Sequence, residues 1–232
     1  VSRPQPREGE QDMDHAPRIA AIVLAAGRST RMGGPNKLLA RIDGTPLVRH
    51  AAEAALGAGL AEVVVVTGHQ SEAVRGALAG LDLRFAHNPD FAEGLSTSLK
   101  AGLAALGEAA DAAVVLLADM PRISPDLVKR LAAAFDPGAG RHIVVPVSDG
   151  RRGNPVLWGR RFFPELMRVA GDQGGRAVLA ASPEAVGGTI TVRSARKLPA
   201  ASATELVATM RTSPRTSARQ SATPVADMLP SW

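Results

Sequence analysis

The 232-residue sequence predicts an α/β protein in which a mostly parallel sheet is covered by helices on both faces. Short apolar runs recur along the chain, helical stretches separate them, and glycine or polar residues follow them. Continuous apolar runs are typical of strands that are buried on both faces. Strands that alternate with helices favour a parallel sheet. In such folds ligands bind beyond the carboxyl ends of the strands, so the residues that follow each run are the candidates for function.

The predicted elements follow in chain order. Strands are predicted over five runs, namely residues 19–27, 62–68, 83–88, 112–120 and 142–148. Helices are predicted to start near Pro46, Ser71, Leu95 and Ser124, because proline suits the first turn of a helix and serine suits an N-cap. Later segments are less regular: a short strand and a helix in 153–171, a helix in 176–183 and a final strand in 189–194.

We predict one folded domain over residues 18–192, between a disordered lead-in (1–17) and a disordered basic tail (193–232). The tail holds six Lys/Arg against two carboxylates, whereas the first 192 residues have a net charge of only +1. The chain has no Tyr, two Trp and five Phe, which leaves few rings for base stacking. We therefore expect no nucleic-acid partner.

Several classes of protein are excluded by composition. There is no apolar run of about 18 residues, and the first residues do not resemble a signal peptide. No cysteine is present, so disulfides, thiolate metal sites and a cysteine nucleophile are all excluded. We expect a cytoplasmic protein with no membrane partner.

The loop after the first strand, LAAGRSTRMGGPNK, is the densest functional feature. Glycines allow close approach of the backbone, and three cations share the loop; the candidates are Gly27, Gly33, Arg28, Arg31 and Lys37. Backbone N–H groups and cations on one loop suit a nucleoside triphosphate. The loop is neither a Walker A loop nor a dinucleotide fingerprint. The alternative is a solvated Gly/Arg loop.

Asp119 follows a hydrophobic strand in the segment LADMP. A carboxylate at this place can hold Mg²⁺ against a triphosphate, because Mg²⁺ prefers one or two carboxylates plus phosphate oxygens and water. The alternative is that Asp119 only caps the next turn.

Three further segments carry polar groups at strand or helix ends. Thr67 and His69 follow the second strand, and His69 is interpreted as a polar lining residue. The segment HNPDFAEGLSTSLKAGL opens a helix and offers Asn88, Gly94, Ser96 and Ser98. The segments GNPVL and GDQGGR offer Asn154, Pro155, Asp172, Gly174 and Arg176, which ordinary turn chemistry would also explain.

Together these motifs resemble the MobA-like nucleotidyltransferases, and within them the molybdenum cofactor cytidylyltransferases. The matching patterns are L-A-A-G-x-S-x-R-M-G followed by Lys, A-D-M-P, N-P-x-F-x-x-G-L-x-x-S, G-N-P-x-L and G-D-x-G-x-R. The resemblance covers about residues 18–180. It implies a Rossmann-like three-layer α/β/α nucleotidyltransferase fold. The D-x-D-T-P-x-D segment that usually ends such chains has no counterpart after Ala180.

The resemblance also implies residue roles. The nucleotide would be held by the loop backbone and by the strand and helix ends, at Leu24, Ala25, Ala26, Gly27, Gly33, Lys37, Thr67, Asn88, Gly94, Ser96 and Ser98. Arg28, Arg31 and Lys37 would neutralise phosphate charge, and Asp119 would bind Mg²⁺. The acceptor would meet His69, Asn154, Pro155, Asp172, Gly174 and Arg176.

The implied reaction transfers CMP from CTP to the terminal phosphate of molybdopterin and releases pyrophosphate. Ala26 favours cytidine, since relatives that transfer GMP read L-A-G-G. A molybdoenzyme or its maturation chaperone is the expected protein partner. Three alternatives stay open: a guanylyltransferase that uses GTP, a sugar- or polyol-phosphate cytidylyltransferase, and a domain that binds nucleotide or pterin without catalysis.

Overall fold

The computed structural model describes residues 16–28 and 36–191. Within these ranges lie ten strands: β1 (Ile19–Ala25), β2 (Arg41–Ile42), β3 (Thr45–Pro46), β4 (Glu62–Thr67), β5 (Arg84–His87), β6 (Ala112–Leu117), β7 (Ile143–Ser148), β8 (Arg151–Arg152), β9 (Val156–Gly159) and β10 (Gly188–Thr191). The same ranges hold six α-helices: α1 (Leu47–Gly57), α2 (Ser71–Ala77), α3 (Leu95–Ala105), α4 (Pro125–Ala133), α5 (Phe163–Leu166) and α6 (Arg176–Ala181).

Eight strands form one sheet in the order β10-β7-β9-β6-β1-β4-β5, with β8 paired to β7. Strand β1 is parallel to β4 and β6, β4 is parallel to β5, and β10 is parallel to β7. Strand β9 is antiparallel to both β6 and β7, and β8 is antiparallel to β7. The carboxyl ends of the six strands that run in the same direction therefore lie along one edge of the sheet, here called the carboxyl edge. Strands β2 and β3 form a separate two-stranded pair.

Helices cover both faces of the sheet, which confirms the predicted three-layer arrangement. Alternate residues of β1, such as Ala21 and Val23, pack on the face that carries α1, α2 and α4. Their neighbours Ile22 and Leu24 pack on the other face, which carries α3, α5 and α6. Every residue of β1 is buried, as expected for a continuous apolar run at the centre of a parallel sheet.

The five predicted runs all form strands, with ends trimmed by one to three residues, and the predicted final strand begins one residue earlier, at Gly188. Ser124 caps α4 as predicted: its Oγ accepts a hydrogen bond from the Leu127 N–H at 3.2 Å. The prediction that Ser71 is an N-cap was wrong, because Gln70 occupies the cap in a left-handed conformation and Ser71 is the first helical residue. Pro46 lies one residue before its helix, where it also ends β3.

The predicted tail (193–232) and residues 1–15 of the predicted lead-in lie outside the described residues, as do residues 192–194 of the final strand. Among the described helices, none combines the length and apolar character that crossing a lipid bilayer demands.

Candidate nucleotide site at the carboxyl edge

An ion pair between Lys37 and Asp119 lies at the carboxyl edge. The Lys37 Nζ is 3.1 Å from the Asp119 Oδ2, and the exposed fractions of the two side chains are 11% and 31%. Lys37 begins a short 3-10 turn (Lys37–Leu39), while Asp119 stands two residues beyond the end of β6. The sequence pointed to both residues, and the fold brings them together across 82 positions of the chain.

Asn36 fixes the backbone beside Lys37. Its Oδ1 accepts a hydrogen bond from the Leu38 N–H at 3.0 Å, which caps the 3-10 turn. The side chain is buried, and its Nδ2 finds no hydrogen-bond partner among the described residues. Sequence reasoning missed Asn36, although an asparagine directly before the loop lysine is a recognisable capping signal.

The backbone that follows β1 is held by its neighbours in the sheet. The Leu24 carbonyl accepts a hydrogen bond from the Ala118 N–H at 3.1 Å, and the Ala26 carbonyl accepts one from the His69 N–H at 3.2 Å. Leu24, Ala25 and Ala26 are buried, whereas Gly27 and Arg28 are exposed. The loop therefore leaves the sheet at Gly27. Arg31 and Gly33 lie outside the described residues.

The end of β4 packs tightly against this backbone. A Cβ placed on Gly68 would lie 2.7 Å from the Phe91 Cβ and 2.9 Å from the Ala26 Cβ, so only glycine fits there. The His69 and Phe91 rings are 5.9 Å apart and tilted by 50°. Thr67 is fully buried, and its Oγ1 accepts a hydrogen bond from the Ser71 Oγ at 3.0 Å. The polar ring of His69 is partly exposed at this place.

Asn88 connects the end of β5 to the start of α3. Its Nδ2 donates to the Thr97 Oγ1 at 2.9 Å and to the Ser98 Oγ at 3.0 Å, and its Oδ1 accepts from the Asp90 N–H at 3.0 Å. Both donor hydrogens are thus used inside the protein, and the residue is 2% exposed. In this structure Asn88 holds a loop in place, and a direct contact with nucleotide stays a prediction.

Asp172 is joined to the N-terminus of α3. Its Oδ1 accepts a hydrogen bond from the Leu95 N–H at 3.2 Å. Gly94 has a φ of +119°, and a Cβ at this residue would lie 2.8 Å from that same carboxylate oxygen. The predicted residues Gly94 and Asp172 are therefore in contact. Ser96 and Ser98, on the first turn of the helix, are buried.

The remaining predicted residues lie on connections next to the same edge. The Asn154–Pro155 peptide bond is cis and directly precedes β9. Gly174 is buried with a φ of +52°, and Arg176 is exposed as the first residue of α6. Extension of the β6–β9 register from the Val115–Val156 pair places Asn154 beside Leu117, two residues before Asp119.

The chemistry available for a metal ion is limited. Among the described residues no group of three His, Asp or Glu side chains could hold a metal ion. The ion pair itself supplies one carboxylate, that of Asp119. A divalent cation here would have to share its coordination between this carboxylate, ligand oxygens and water, which is the arrangement that Mg²⁺ prefers in phosphate sites.

The sequence matches a known protein family. The sequence model of the family described as the MobA-like NTP transferase domain matches residues 21–186. The chain belongs to this family. The matched range begins within β1 and ends two residues before β10, so it contains the other strands of the sheet and each of the connections described above.

Two curated relatives differ in how much of their length is matched. The nicotine blue oxidoreductase of Paenarthrobacter nicotinovorans is 34% identical over 181 residues, which cover 75% of this chain and 86% of that protein. The bifunctional protein GlmU of Anaeromyxobacter sp. is 39% identical over 128 residues, which cover 53% of this chain and 26% of that protein. This chain thus spans about a quarter of the GlmU relative.

Solved structures with the same fold include Rv0371c from Mycobacterium tuberculosis H37Rv. It superposes with a TM-score of 0.66 at 28% identity, and the match covers 78% of this chain and 91% of that one. A structure of Rv0371c in complex with manganese gives a TM-score of 0.62 at 25% identity, and the match covers 84% of this chain and all of that one.

Proposed function

We propose that this nucleotidyltransferase transfers CMP from CTP to the terminal phosphate of a molybdopterin-type acceptor, with Mg²⁺ as its cation. The observation that carries the proposal is the Lys37–Asp119 pair, a cation and a carboxylate held 3.1 Å apart beside the loop that leaves β1 at Gly27. A triphosphate needs both: the cation for its negative oxygens and the carboxylate for its metal ion.

The proposed reaction balances without a covalent enzyme intermediate. A phosphate oxygen of the acceptor attacks the α-phosphorus of CTP in line, a new P–O bond forms, the α–β bridging bond breaks, and pyrophosphate leaves. A phosphate monoester is mostly a dianion at neutral pH, since its second pKa is about 6, so no side chain has to remove a proton. The task of the protein is to position the reactants and to neutralise charge.

Each residue of the site has a defined part in this scheme. Lys37 would pair with phosphate oxygens as charge moves toward the leaving pyrophosphate. Asp119 would hold the Mg²⁺, which, when bound, neutralises the triphosphate and polarises the α-phosphoryl group. The manganese in the similar structure of Rv0371c supports a divalent cation in this fold. The backbone from Leu24 to Gly27 would bind the base and Arg28 the phosphates.

Support for CTP and for a pterin acceptor comes from the sequence. Ala26 stands where relatives that transfer GMP carry glycine, and the segments around Asn154, Asp172 and Arg176 resemble the acceptor motifs of the cytidylyltransferases. The Ala26 Cβ would lie 2.9 Å from a Cβ placed on Gly68, so the Ala26 side chain is directly beside the end of β4.

The test is pyrophosphate release by the purified full-length chain with Mg²⁺ and molybdenum cofactor, with CTP and GTP compared. Release with CTP at a kcat/KM at least about tenfold above that with GTP is expected, a ratio that corresponds to about 1.4 kcal/mol. A preference for GTP would overturn the cytidylyl assignment. Release with a sugar or polyol phosphate but not with the pterin would overturn the acceptor.

A second candidate function is an oxidoreductase reaction on a dye such as nicotine blue. It is favoured by the match to the nicotine blue oxidoreductase, which extends over 86% of that protein. Oxidation of reduced nicotinamide in the presence of such a dye, without pyrophosphate release from any nucleotide, would support this candidate against transfer.

A further inference from the structure

A tight hairpin adds two arginines to the carboxyl edge. Strand β8 turns back on β7 through Asp149 and Gly150, which both have positive φ values of 50° and 76°. In the register of this hairpin, Arg152 lies opposite Val147 and Arg151 lies opposite Ser148. Two-residue turns of this kind fix the register of the strands they join. The register in turn decides on which face of the sheet each arginine lies.

The hairpin lies beside the turn that carries Asp119. Strand β7 has β10 on one side, where Val147 pairs with Thr191. Strand β8, with Arg152, therefore pairs with β7 on the other side, which is also the side of β9. Strand β6 flanks β9 and ends at Leu117. Strand β8 thus continues the line of β9. Followed through β7, the registers place Arg152 level with Leu117, the last residue of β6 and two residues before Asp119.

The two arginines lie on opposite faces of the sheet. Val147 packs on the face that carries α3 and α6, and residues directly opposite each other on paired strands share a face. Arg152 is therefore on the face of Gly94, Asp172 and Arg176. Arg151 shares the opposite face with Ser148.

Arg152 is exposed and forms no hydrogen bond or ion pair with any described residue. Its planar guanidinium can bind two oxygens of one phosphate group at once. We propose that Arg152 binds the phosphate monoester of the acceptor and brings it to the nucleotide held at Lys37 and Asp119. This assignment rests on the proposed nucleotidyl transfer and deepens it, since it names the anionic group by which the acceptor is recognised.

The test compares Arg152→Gln with Arg151→Gln, a matched control that removes the same charge from the same hairpin on the other face. Steady-state kinetics with molybdenum cofactor should give a KM for the acceptor at least about tenfold higher in Arg152→Gln, because a hydrogen bond to a charged group is lost. The KM for CTP should not change. Arg151→Gln should resemble the wild type, and Arg152→Lys should recover part of the loss.

A binding experiment separates this inference from the proposed function. Inorganic phosphate is titrated into the full chain while the arginine Nε–Hε resonances are recorded by NMR, with Mg²⁺ and a non-hydrolysable CTP analogue present. A shift of the Arg152 resonance is expected, and this would support the phosphate site even if the wild type releases no pyrophosphate. An active wild type in which Arg152→Gln changes neither the acceptor KM nor phosphate binding would overturn the inference and leave the transfer reaction standing. An equal rise in the acceptor KM in Arg152→Gln and Arg151→Gln would also overturn the inference, because the effect would then depend only on the net charge of the hairpin.

Discussion

Lys37 lies in the connection after β1, Asp119 lies after β6, and the two side chains meet as a partly buried ion pair. A pair of this kind gains little net stability, because the cost of desolvation offsets most of the attraction. Under the proposed function this pair has another reason: Lys37 would bind phosphate oxygens and Asp119 would bind Mg²⁺ once the nucleotide is present.

Asp119→Asn and Lys37→Met are expected to lower kcat by about 10²–10³, because each removes a charge that acts on the triphosphate. Pyrophosphate release in the assay above measures the loss. The control is Asp82→Asn, which neutralises an exposed carboxylate with no hydrogen bond to a described residue. A full rate in Asp119→Asn would contradict the metal-binding role of this residue.

For Asn88 we expect an effect on stability, because its side-chain hydrogen bonds are made within the protein. Asn88→Ala is expected to lower the free energy of unfolding by about 1–3 kcal/mol, because the buried Ser98 hydroxyl and the Asp90 N–H lose their partner. Chemical denaturation measures this change, and Ser98→Ala, which removes only one of the bonds, should cost less. Wild-type stability together with a raised KM for nucleotide would instead favour a direct ligand contact.

At the scale of elements, α3 is held unusually close to the centre of the sheet. A Cβ on Gly102 would lie 2.5 Å from the Ile22 Cγ2, a branched methyl group near the backbone of β1. Gly76 in α2 has no atom within 4 Å of the corresponding position. Substitution of these two helical glycines by alanine therefore distinguishes the effect of close packing on stability from the effect of helix propensity.

Gly102→Ala is expected to lower the free energy of unfolding by about 1–3 kcal/mol through overpacking, in spite of the better helix propensity of alanine. Gly76→Ala should leave stability unchanged or raise it by up to about 1 kcal/mol. Thermal or urea denaturation of both variants measures the difference. A stabilised Gly102→Ala would mean that α3 can move away from β1 at no cost.

Some elements could be predicted from the sequence and others could not. The apolar runs of β1, β4 and β6 were recognisable as buried strands because burial on both faces leaves a clear pattern. The antiparallel direction of β9 left no such pattern, since its four residues are buried like those of a parallel strand. Ser71 is the first residue of α2 and not its N-cap, because Gln70 takes the cap position in a left-handed conformation that no local pattern indicated.

At the scale of the whole molecule, the fold explains why distant motifs form one site. Parallel strands bring the segments after β1, β4, β5 and β6 to the carboxyl edge, where the sequence-predicted residues Gly27, His69 and Asp119 all lie. Local patterns identified candidate residues for the site, but the internal hydrogen bonds of Asn88 and Asp172 depend on contacts with α3 that no local pattern contains.

Ligand binding to this edge should stabilise the entire domain. With Mg²⁺ present, CTP at 100 times its Kd is expected to add about 2.7 kcal/mol to the free energy of unfolding, and the same concentration of GTP should add less. The shift in Tm measures the effect, with Asp119→Asn as the variant in which it should shrink. An unchanged Tm with both nucleotides would contradict a nucleotide site at this edge.

The most direct measurement follows the phosphorus atom itself. CTP labelled with ³²P at the α-phosphate is incubated with molybdenum cofactor, Mg²⁺ and the full-length chain, and the products are separated. The label is predicted to appear in a cytosine dinucleotide form of the cofactor, in a yield that depends on Lys37 and Asp119. Label that stays in CTP, or that appears only in free CMP, would contradict the transfer reaction.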